Sequence, residues 1–158
     1  MCLNKEATLD DVMGIILEKL DAGGTVTFTP SGNSMLPMLR DGLDVVVLRK
    51  PEGRLKLYDV PLYKRSDGTY VLHRMVGYGK DDSYIMCGDN QFIKEKGITD
   101  DQIIAVLTAF FRKGKAYPVC SLRYRTYVEF WCSTRFFRRV FRAVKRRIIK
   151  KKPENNKK

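Results

Sequence analysis

A chain of 158 residues with 44% apolar side chains is long enough to bury one hydrophobic core, and this composition excludes an intrinsically disordered protein. Its formal net charge of +12 is unevenly distributed: residues 1–110 hold 13 Lys and Arg against 16 Asp and Glu, a net of −3, whereas residues 111–158 hold 17 against 2, a net of +15. An argument for nucleic-acid binding from charge therefore applies to the C-terminal segment alone.

The chain contains four cysteines and one histidine, His73, and the cysteines show no Cys-x-x-Cys spacing. This pattern does not fit a zinc site, so we predict neither a metal nor a cofactor, and we expect free thiols typical of a reducing compartment. The N-terminus lacks the basic and apolar regions of a secretory signal. The longest apolar run, residues 103–111, falls short of the ~20 residues that span a bilayer. We therefore expect a cytoplasmic protein.

The first predicted element is an amphipathic helix over residues 8–22. Thr8 is a suitable N-cap, and Gly23-Gly24 ends the helix. One helical face is apolar, through Leu9, Val12, Ile16 and Leu20. We expect residues 1–24 to form a helical segment that packs on the rest of the protein.

From residue 25 the pattern changes to the alternation and β-branched content of strands. Strands are predicted over residues 25–29, 43–49, 58–65, 69–77, 83–87 and 103–112. Residues 66–68, Ser-Asp-Gly, predict a hairpin turn. Periodicity alone leaves residues 103–112 open between a buried strand and a helix. Residues 25–116 are predicted to form a mostly β domain, an open or barrel-like antiparallel arrangement.

A single serine, Ser34, lies between a turn and the apolar run Met35–Leu39. Pro30, Gly32 and Asn33 favour a tight backbone that can hold a hydroxyl outward, although a polar turn before an apolar segment fits equally well. A serine hydroxyl needs an adjacent base to act as a nucleophile, and an imidazole with a pKa of about 6.5 suits that role. The alternative for the histidine is a structural hydrogen bond within a strand.

The stretch Ser34-Met35-Leu36-Pro37-Met38-Leu39 resembles the Ser-Met-x-Pro-x-Leu nucleophile box of the signal-peptidase clan of serine peptidases, the S24/S26 families. The other motifs follow in the family's order, with two Gly-Asp-x-Val-like strands at 42–47 and 58–63, the strand of the general base at 70–77 and a Gly-Asp-Asn box at 88–90. Tyr58 stands where the second of those strands has glycine. Each motif is weak alone, but their order and spacing over residues 25–113 form a specific ensemble.

The resemblance implies a signal peptidase/SOS-repressor-like fold and a serine endopeptidase. Ser34 would attack a peptide carbonyl, and His73 would act as general base and then as general acid. A carboxylate that orients the histidine is expected. We rank Asp89, in the Gly-Asp-Asn box, above Glu95, which lies near the place where Ser-His members carry an aspartate. The predicted catalytic residues are therefore Ser34, His73 and Asp89.

The oxyanion of the tetrahedral intermediate requires preorganised donors. The backbone N–H of Ser34 is the first of these. Some members of the family add a serine hydroxyl two residues before the nucleophile. Gly32 holds that position here, and Ser31 lies one residue further back, which leaves it as a candidate second donor.

Residues 117–158 are predicted to be a basic amphipathic helical tail with a disordered end from about residue 150. Its apolar face carries Trp131, Phe137, Val140, Phe141, Val144 and Ile148, with arginines interspersed. We interpret this pattern as an interfacial helix that attaches the protein to an anionic membrane surface at the inner face of the membrane. The alternatives are a helix docked on the body with a solvated basic rim, and binding of nucleic acid or an acidic partner, which we rank lower.

The expected function is cleavage of a peptide or leader sequence, bound in extended form beside Ser34. With no span and no export signal, the active site would face the cytoplasm, which favours maturation of a ribosomally made peptide over removal of exported signal peptides. The alternative is a non-catalytic or self-cleaving regulatory module of the same fold. We rank it lower because the N-terminal segment is too short for a helix-turn-helix domain and His73 replaces the lysine base of the repressor autoproteases.

Overall fold

The computed structural model describes residues 9–150, which form two antiparallel β-sheets and three α-helices. Helix α1 covers Leu9–Asp21 and is followed by Gly23, whose φ of 75° lies in the left-handed region that favours glycine. Met13 and Leu20 of α1 are buried in the main core. The helix predicted over residues 8–22 is confirmed, whereas its predicted N-cap, Thr8, lies outside the described residues.

The larger sheet is built around one long strand, β8. Its strands are β1 (Thr25–Phe28), β2 (Val45–Arg49), β3 (Pro61–Lys64), β4 (Tyr70–Leu72), β8 (Ile103–Arg112) and β9 (Lys115–Pro118). The order is β1-β2-β8-β3-β4, with β9 paired to β8. The strand interpretation of residues 103–112 and the hairpin at 66–68, between β3 and β4, are both confirmed.

The smaller sheet contains β5 (Arg74–Tyr78), β6 (Tyr84–Cys87) and β7 (Glu95–Ile98) in that order. The single strand predicted over residues 69–77 is therefore wrong, because β4 pairs with β3 in one sheet and β5 pairs with β6 in the other. At the start of β5 the backbone N–H of Met75 donates to the carbonyl of Asp59, and the carbonyl of Met75 accepts the N–H of Tyr58, so this residue still contacts the segment that leads into β3. His73 lies at the point where the chain passes between the sheets.

Two clusters of buried apolar side chains fill the molecule. The larger lies between α1, the larger sheet and the loop that follows β1. The smaller lies between the two sheets and contains Leu55, Tyr63, Met75, Tyr84, Met86, Ile98 and Val106. Each fully buried side chain of this size contributes roughly 1.5–3 kcal/mol of transfer free energy. The strands on either side of His73, β4 and β5, are therefore held in place by buried side chains.

The C-terminal segment forms two helices rather than one. Helix α2, Leu122–Ser133, begins at Ser121, whose hydroxyl accepts the backbone N–H of Tyr124, and it buries Val128 on the body. Helix α3, Arg135–Lys150, follows after Thr134. Across residues 9–150, no helix combines the length and the apolar character needed to cross a bilayer. The expectation of a mostly β, antiparallel fold with helical additions is confirmed.

Candidate active site

Ser34 lies in the loop between β1 and β2, residues 29–44, which we call the serine loop. The loop is anchored by its apolar side chains, since Met35, Met38 and Leu39 are only 4%, 3% and 2% exposed. Gly32, with a φ of 98°, turns the chain before the serine, and its N–H donates to the Asp41 carboxylate at 2.8 Å. Ser34 itself is half-buried. The loop thus holds one hydroxyl at its surface while the neighbouring side chains fill the core.

A buried carboxylate closes the serine loop on the larger sheet. Asp44 accepts hydrogen bonds from Arg40 Nε at 3.0 Å and from Arg112 Nη2 at 2.8 Å. Arg112, at the end of β8, also donates to the carbonyl of Met38 at 2.7 Å. Burial would raise the pKa of Asp44, but the hydrogen bonds from the two arginines outweigh it and lower the pKa to about 2. Sequence reasoning noted Asp44 as a strand motif and missed this anchoring role.

His73 is 2% exposed, and one ring nitrogen faces a carboxylate. Its Nδ1 lies 3.1 Å from Glu95 Oε1 and 3.4 Å from Tyr63 Oη. A carboxylate at Nδ1 favours the tautomer that carries its proton there. Nε2 is then the unprotonated nitrogen, as a general base requires.

The Glu95 carboxylate is itself held by two neighbours on β3 and the turn after it. Arg65 donates to both of its oxygens, with Nε 2.8 Å from Oε2, and the Tyr63 hydroxyl donates to Oε2 at 2.9 Å. The hydrogen bonds from Arg65 outweigh the effect of burial and lower the pKa of Glu95. Glu95 is therefore ionised at neutral pH and fixed in position beside the imidazole.

The ranking of Asp89 above Glu95 is not supported by the contacts. The Asp89 carboxylate is fully buried and accepts hydrogen bonds from Nε and Nη2 of Arg74, both at 2.7 Å. Arg74 follows His73 directly, and successive side chains of an extended segment point to opposite sides. Asp89 is thus paired on the far side of the chain, and the carboxylate at His73 Nδ1 belongs to Glu95.

The Gly88-Asp89-Asn90 segment supports the serine loop through its backbone. The carbonyl of Ser34 accepts the N–H of Asn90 at 2.8 Å, and the Asn90 side chain donates to the carbonyl of Asn33 at 3.0 Å. A Cβ at position 88 would lie 2.6 Å from the Ser34 carbonyl oxygen, so this close approach requires glycine. The three residues position the serine loop, and none of their described side chains contacts His73.

The pKa of His73 is lowered from its ordinary value. Burial is the largest cause, and the positive charge of Arg65 acts in the same direction, while the charge and hydrogen bond of Glu95 oppose them. The imidazole is therefore neutral at pH 7 and available to accept a proton.

Ser34 and His73 line the same cavity, of about 280 Å³, between the serine loop and β4. Its walls are Pro30, Ser31, Gly32, Ser34, Met35, Leu39 and Arg40 on one side, and Arg65, Tyr70, Val71, Leu72, His73 and Gln91 on the other. Within residues 9–150 no hydrogen bond joins Ser34 to His73. Ser31 borders the cavity on the same side as Ser34. The structure therefore brings the predicted nucleophile, base and second donor to one cleft, with Glu95 behind the base.

Comparison with known proteins adds no further assignment. Scans against protein-family models, characterised proteins and solved structures each return no match. Among the described residues there is also no group of three or more His, Cys, Asp and Glu side chains arranged to hold a metal ion.

Proposed function

We propose that the protein is a serine endopeptidase of the signal-peptidase clan. Ser34 is the nucleophile, His73 the general base, and Glu95 the carboxylate that orients the base. The observation that carries this proposal is the cleft shared by Ser34 and a buried, neutral imidazole whose Nδ1 lies 3.1 Å from an ionised carboxylate. A serine hydroxyl becomes nucleophilic when a neutral imidazole takes its proton, and the presence of both residues in one cleft supports this pairing.

In the proposed reaction, Ser34 Oγ bonds to the substrate carbonyl carbon while its proton passes to His73 Nε2. Glu95 stabilises the imidazolium that forms. Collapse of the oxyanion breaks the C–N bond, and His73 gives the proton to the leaving amine. A water molecule then attacks the acyl-enzyme while His73 takes one of its protons. The ester C–O bond breaks, His73 gives the proton to Ser34 Oγ, and the carboxylic acid product leaves.

Two donors on the serine loop support stabilisation of the oxyanion. Within the part of the chain that the structure describes, neither the backbone N–H of Ser34 nor the hydroxyl of Ser31 donates a hydrogen bond. Both groups belong to residues that line the cleft. Donors held in place before the reaction cost no reorganisation when the negative charge develops, and one such donor contributes about 10²–10³-fold in rate.

An extended peptide is the substrate that the cleft favours. Strand β4 lies at the end of the larger sheet, paired on one side with β3, and its residues Tyr70 to Leu72 form one wall. A strand edge of this kind binds an extended chain through main-chain hydrogen bonds, and side chains in the cleft then select the sequence. We propose a peptide or leader sequence whose scissile bond lies between the β4 edge and Ser34.

A backbone feature supports the proposed signal peptidase/SOS-repressor-like fold. Tyr58 occupies the position of a glycine in the motif that residues 58–63 resemble, and its φ is 75°. Non-glycine residues rarely adopt this conformation. The chain thus keeps the backbone that a glycine would allow while carrying a larger residue.

The free thiols of Cys87, Cys120 and Cys132 support the proposed cytoplasmic location.

The test is covalent labelling with a serine-reactive phosphonate probe. Wild-type protein, Ser34→Ala and His73→Ala are compared between pH 5 and 9, with Ser66→Ala, an exposed serine in the turn after β3, as a control outside the cleft. We expect labelling of wild type and of Ser66→Ala on Ser34, at a rate that rises through a pKa below 6.5 because burial lowers the pKa of His73. Equal labelling of wild type and Ser34→Ala would exclude Ser34 as the nucleophile. Folded but unlabelled wild-type protein would favour the non-catalytic module.

A further inference from the structure

Helix α3 turns its apolar face away from the protein. Phe137, Val140, Phe141 and Val144 follow the i, i+3, i+4, i+7 spacing of one helical face and are 73%, 47%, 72% and 47% exposed. An amphipathic helix that docks on a globular body normally buries this face. Here four large apolar side chains remain uncovered on one surface of the described chain.

The side of α3 next to this apolar face is attached to the body by arginines. Arg138 Nη1 donates to the carbonyl of Asp89 at 3.2 Å, and its guanidinium lies 3.7 Å from the centre of the Trp131 ring. Arg142 Nη2 donates to Asn90 Oδ1 at 2.7 Å. These contacts fix the rotation of the helix about its axis. The apolar face is therefore presented outward by the way α3 is anchored.

The apolar face of α3 continues onto the serine loop. A groove of about 660 Å³ runs between Phe137 and Phe141 on one side and Leu36 and Pro37 on the other. Leu36 lies two residues beyond Ser34 along the chain. We call Leu36, Pro37, Phe137, Val140, Phe141 and Val144 the apolar surface. It extends from the exposed side of α3 to the edge of the candidate active site.

We propose that the apolar surface binds an anionic membrane surface. Residues 111–158 carry 17 Lys and Arg against 2 Asp and Glu, and Arg139 of α3 is exposed. Aromatic and aliphatic burial together with attraction to anionic headgroups is what holds an amphipathic helix in the interface of a bilayer. Single-stranded nucleic acid would also match the charge, but it stacks on aromatic rings and gains little from Val140 and Val144.

Bound in this way, the protein lies with Leu36 and Pro37 at the level of the lipid headgroups. The cleft beside Ser34 then opens close to the bilayer surface. If the proposed peptidase function holds, the substrate class is narrowed to peptides that are themselves attached to, or emerge from, a membrane. Lipid binding itself requires no catalysis, so Ser34→Ala is expected to bind as wild type does. A failure of either proposal is therefore distinguishable from a failure of the other.

The experiment measures sedimentation of the full chain with vesicles of phosphatidylcholine alone and of equal parts phosphatidylcholine and phosphatidylserine. We expect binding to the anionic vesicles that weakens as salt is raised. The double variant Phe137→Ser/Phe141→Ser should bind about tenfold more weakly or worse, because each ring loses its burial in the interface. Phe130→Ser is the matched control, since Phe130 is 68% exposed on α2 and outside the apolar surface. It should bind like wild type.

A charge variant and a spectroscopic signal complete the test. Arg139→Glu should weaken binding about tenfold, whereas Lys115→Glu, the same charge change on β9, should have a smaller effect. Trp131, the single tryptophan of the chain, lines the groove, so its fluorescence should shift on vesicle addition. Circular dichroism checks that each variant is folded.

Three results would overturn the proposal. The first is absence of binding to the anionic vesicles by folded wild-type protein. The second is equal binding by the double variant and Phe130→Ser, which would assign the affinity to basic residues outside the apolar surface. The third is that the apolar surface binds something else, either a single-stranded oligonucleotide or a second copy of the chain in the absence of lipid. That binding would be abolished in the double variant and would prevent the wild-type protein from binding vesicles.

Discussion

His73 and Arg74 are neighbours in the chain, and each contacts a carboxylate. The two pairs differ in their exposure to solvent. Arg74 and Asp89 are both 0% exposed and form a bidentate pair. His73 meets Glu95 at the edge of a cleft, where Arg65 and Glu95 remain 34% and 24% exposed. The first pair keeps fixed charges and holds the fold. The second pair leaves a neutral, titratable nitrogen of His73 beside an open cavity. A general base must be able to accept a proton and give it back, and such a nitrogen can do so.

The largest effect is expected where the buried pair is broken. Asp89→Ala leaves the Arg74 guanidinium buried without a counter-charge and should lower the free energy of unfolding by about 3–5 kcal/mol, measured by urea denaturation. Arg74→Met/Asp89→Leu removes both charges and should be less destabilised than the single variant. A single variant as stable as wild type would show that Asp89 has no structural role.

An intermediate effect is expected from the carboxylate that closes the serine loop. The pKa of Asp44 is about 2 in the folded state, below its ordinary value of about 3.8. A carboxyl group with a depressed folded pKa contributes stability above its unfolded pKa, and the contribution is lost as pH falls through the folded pKa. Stability should therefore decline between pH 5 and 2, with Asp44 accounting for about 2 kcal/mol. Asp44→Asn should be less stable at pH 7 and flatter over this range, and an unchanged slope would contradict the assignment.

The smallest change in stability is expected at the edge of the cleft. Glu95→Gln loses a partly exposed ion pair and should cost about 1 kcal/mol or less. Its effect on the titration of His73 should be larger. The negative charge of Glu95 raises the pKa of His73, so loss of that charge should lower the pKa further. Since His73 is the chain's single histidine, its imidazole protons can be followed directly by NMR titration. Probe labelling at Ser34 should also slow, whereas Asp89→Asn should leave the His73 titration nearer to that of wild type.

Local pattern was enough to predict the elements whose residues interact with near neighbours. Helix α1, strand β1 and the Ser-Asp-Gly hairpin each carry their own start, stop or turn residues. The break at His73 leaves no such mark, because residues 69–77 contain no proline and their one glycine, Gly77, lies at the end. It arises from a change of pairing partner, from β3 to β6, and pairing between distant segments is not encoded in periodicity.

The choice between Asp89 and Glu95 failed for a related reason. Asp89 belongs to a recognisable motif, which favoured it as the partner of His73. What decides the partner is the side to which each residue of an extended segment points, together with the position of β7 across β6. Likewise a helical wheel separates the aromatic and basic faces of α3, but the hydrogen bonds of Arg138 and Arg142 decide which face meets the body.

Asn90 contacts both helix α3 and the serine loop. Its side-chain oxygen accepts from Arg142, and its backbone N–H donates to the carbonyl of Ser34. A ligand of α3 shifts the serine loop only by the difference in its affinity for the two arrangements of Asn90, and by linkage the loop changes the affinity for that ligand by the same free energy. A typical coupling of 1–3 kcal/mol would alter the population of a reactive loop by roughly 5–150-fold. The contacts of Asn90 would then make α3 an effector site, because a ligand bound to the helix would change the conformation of the serine loop.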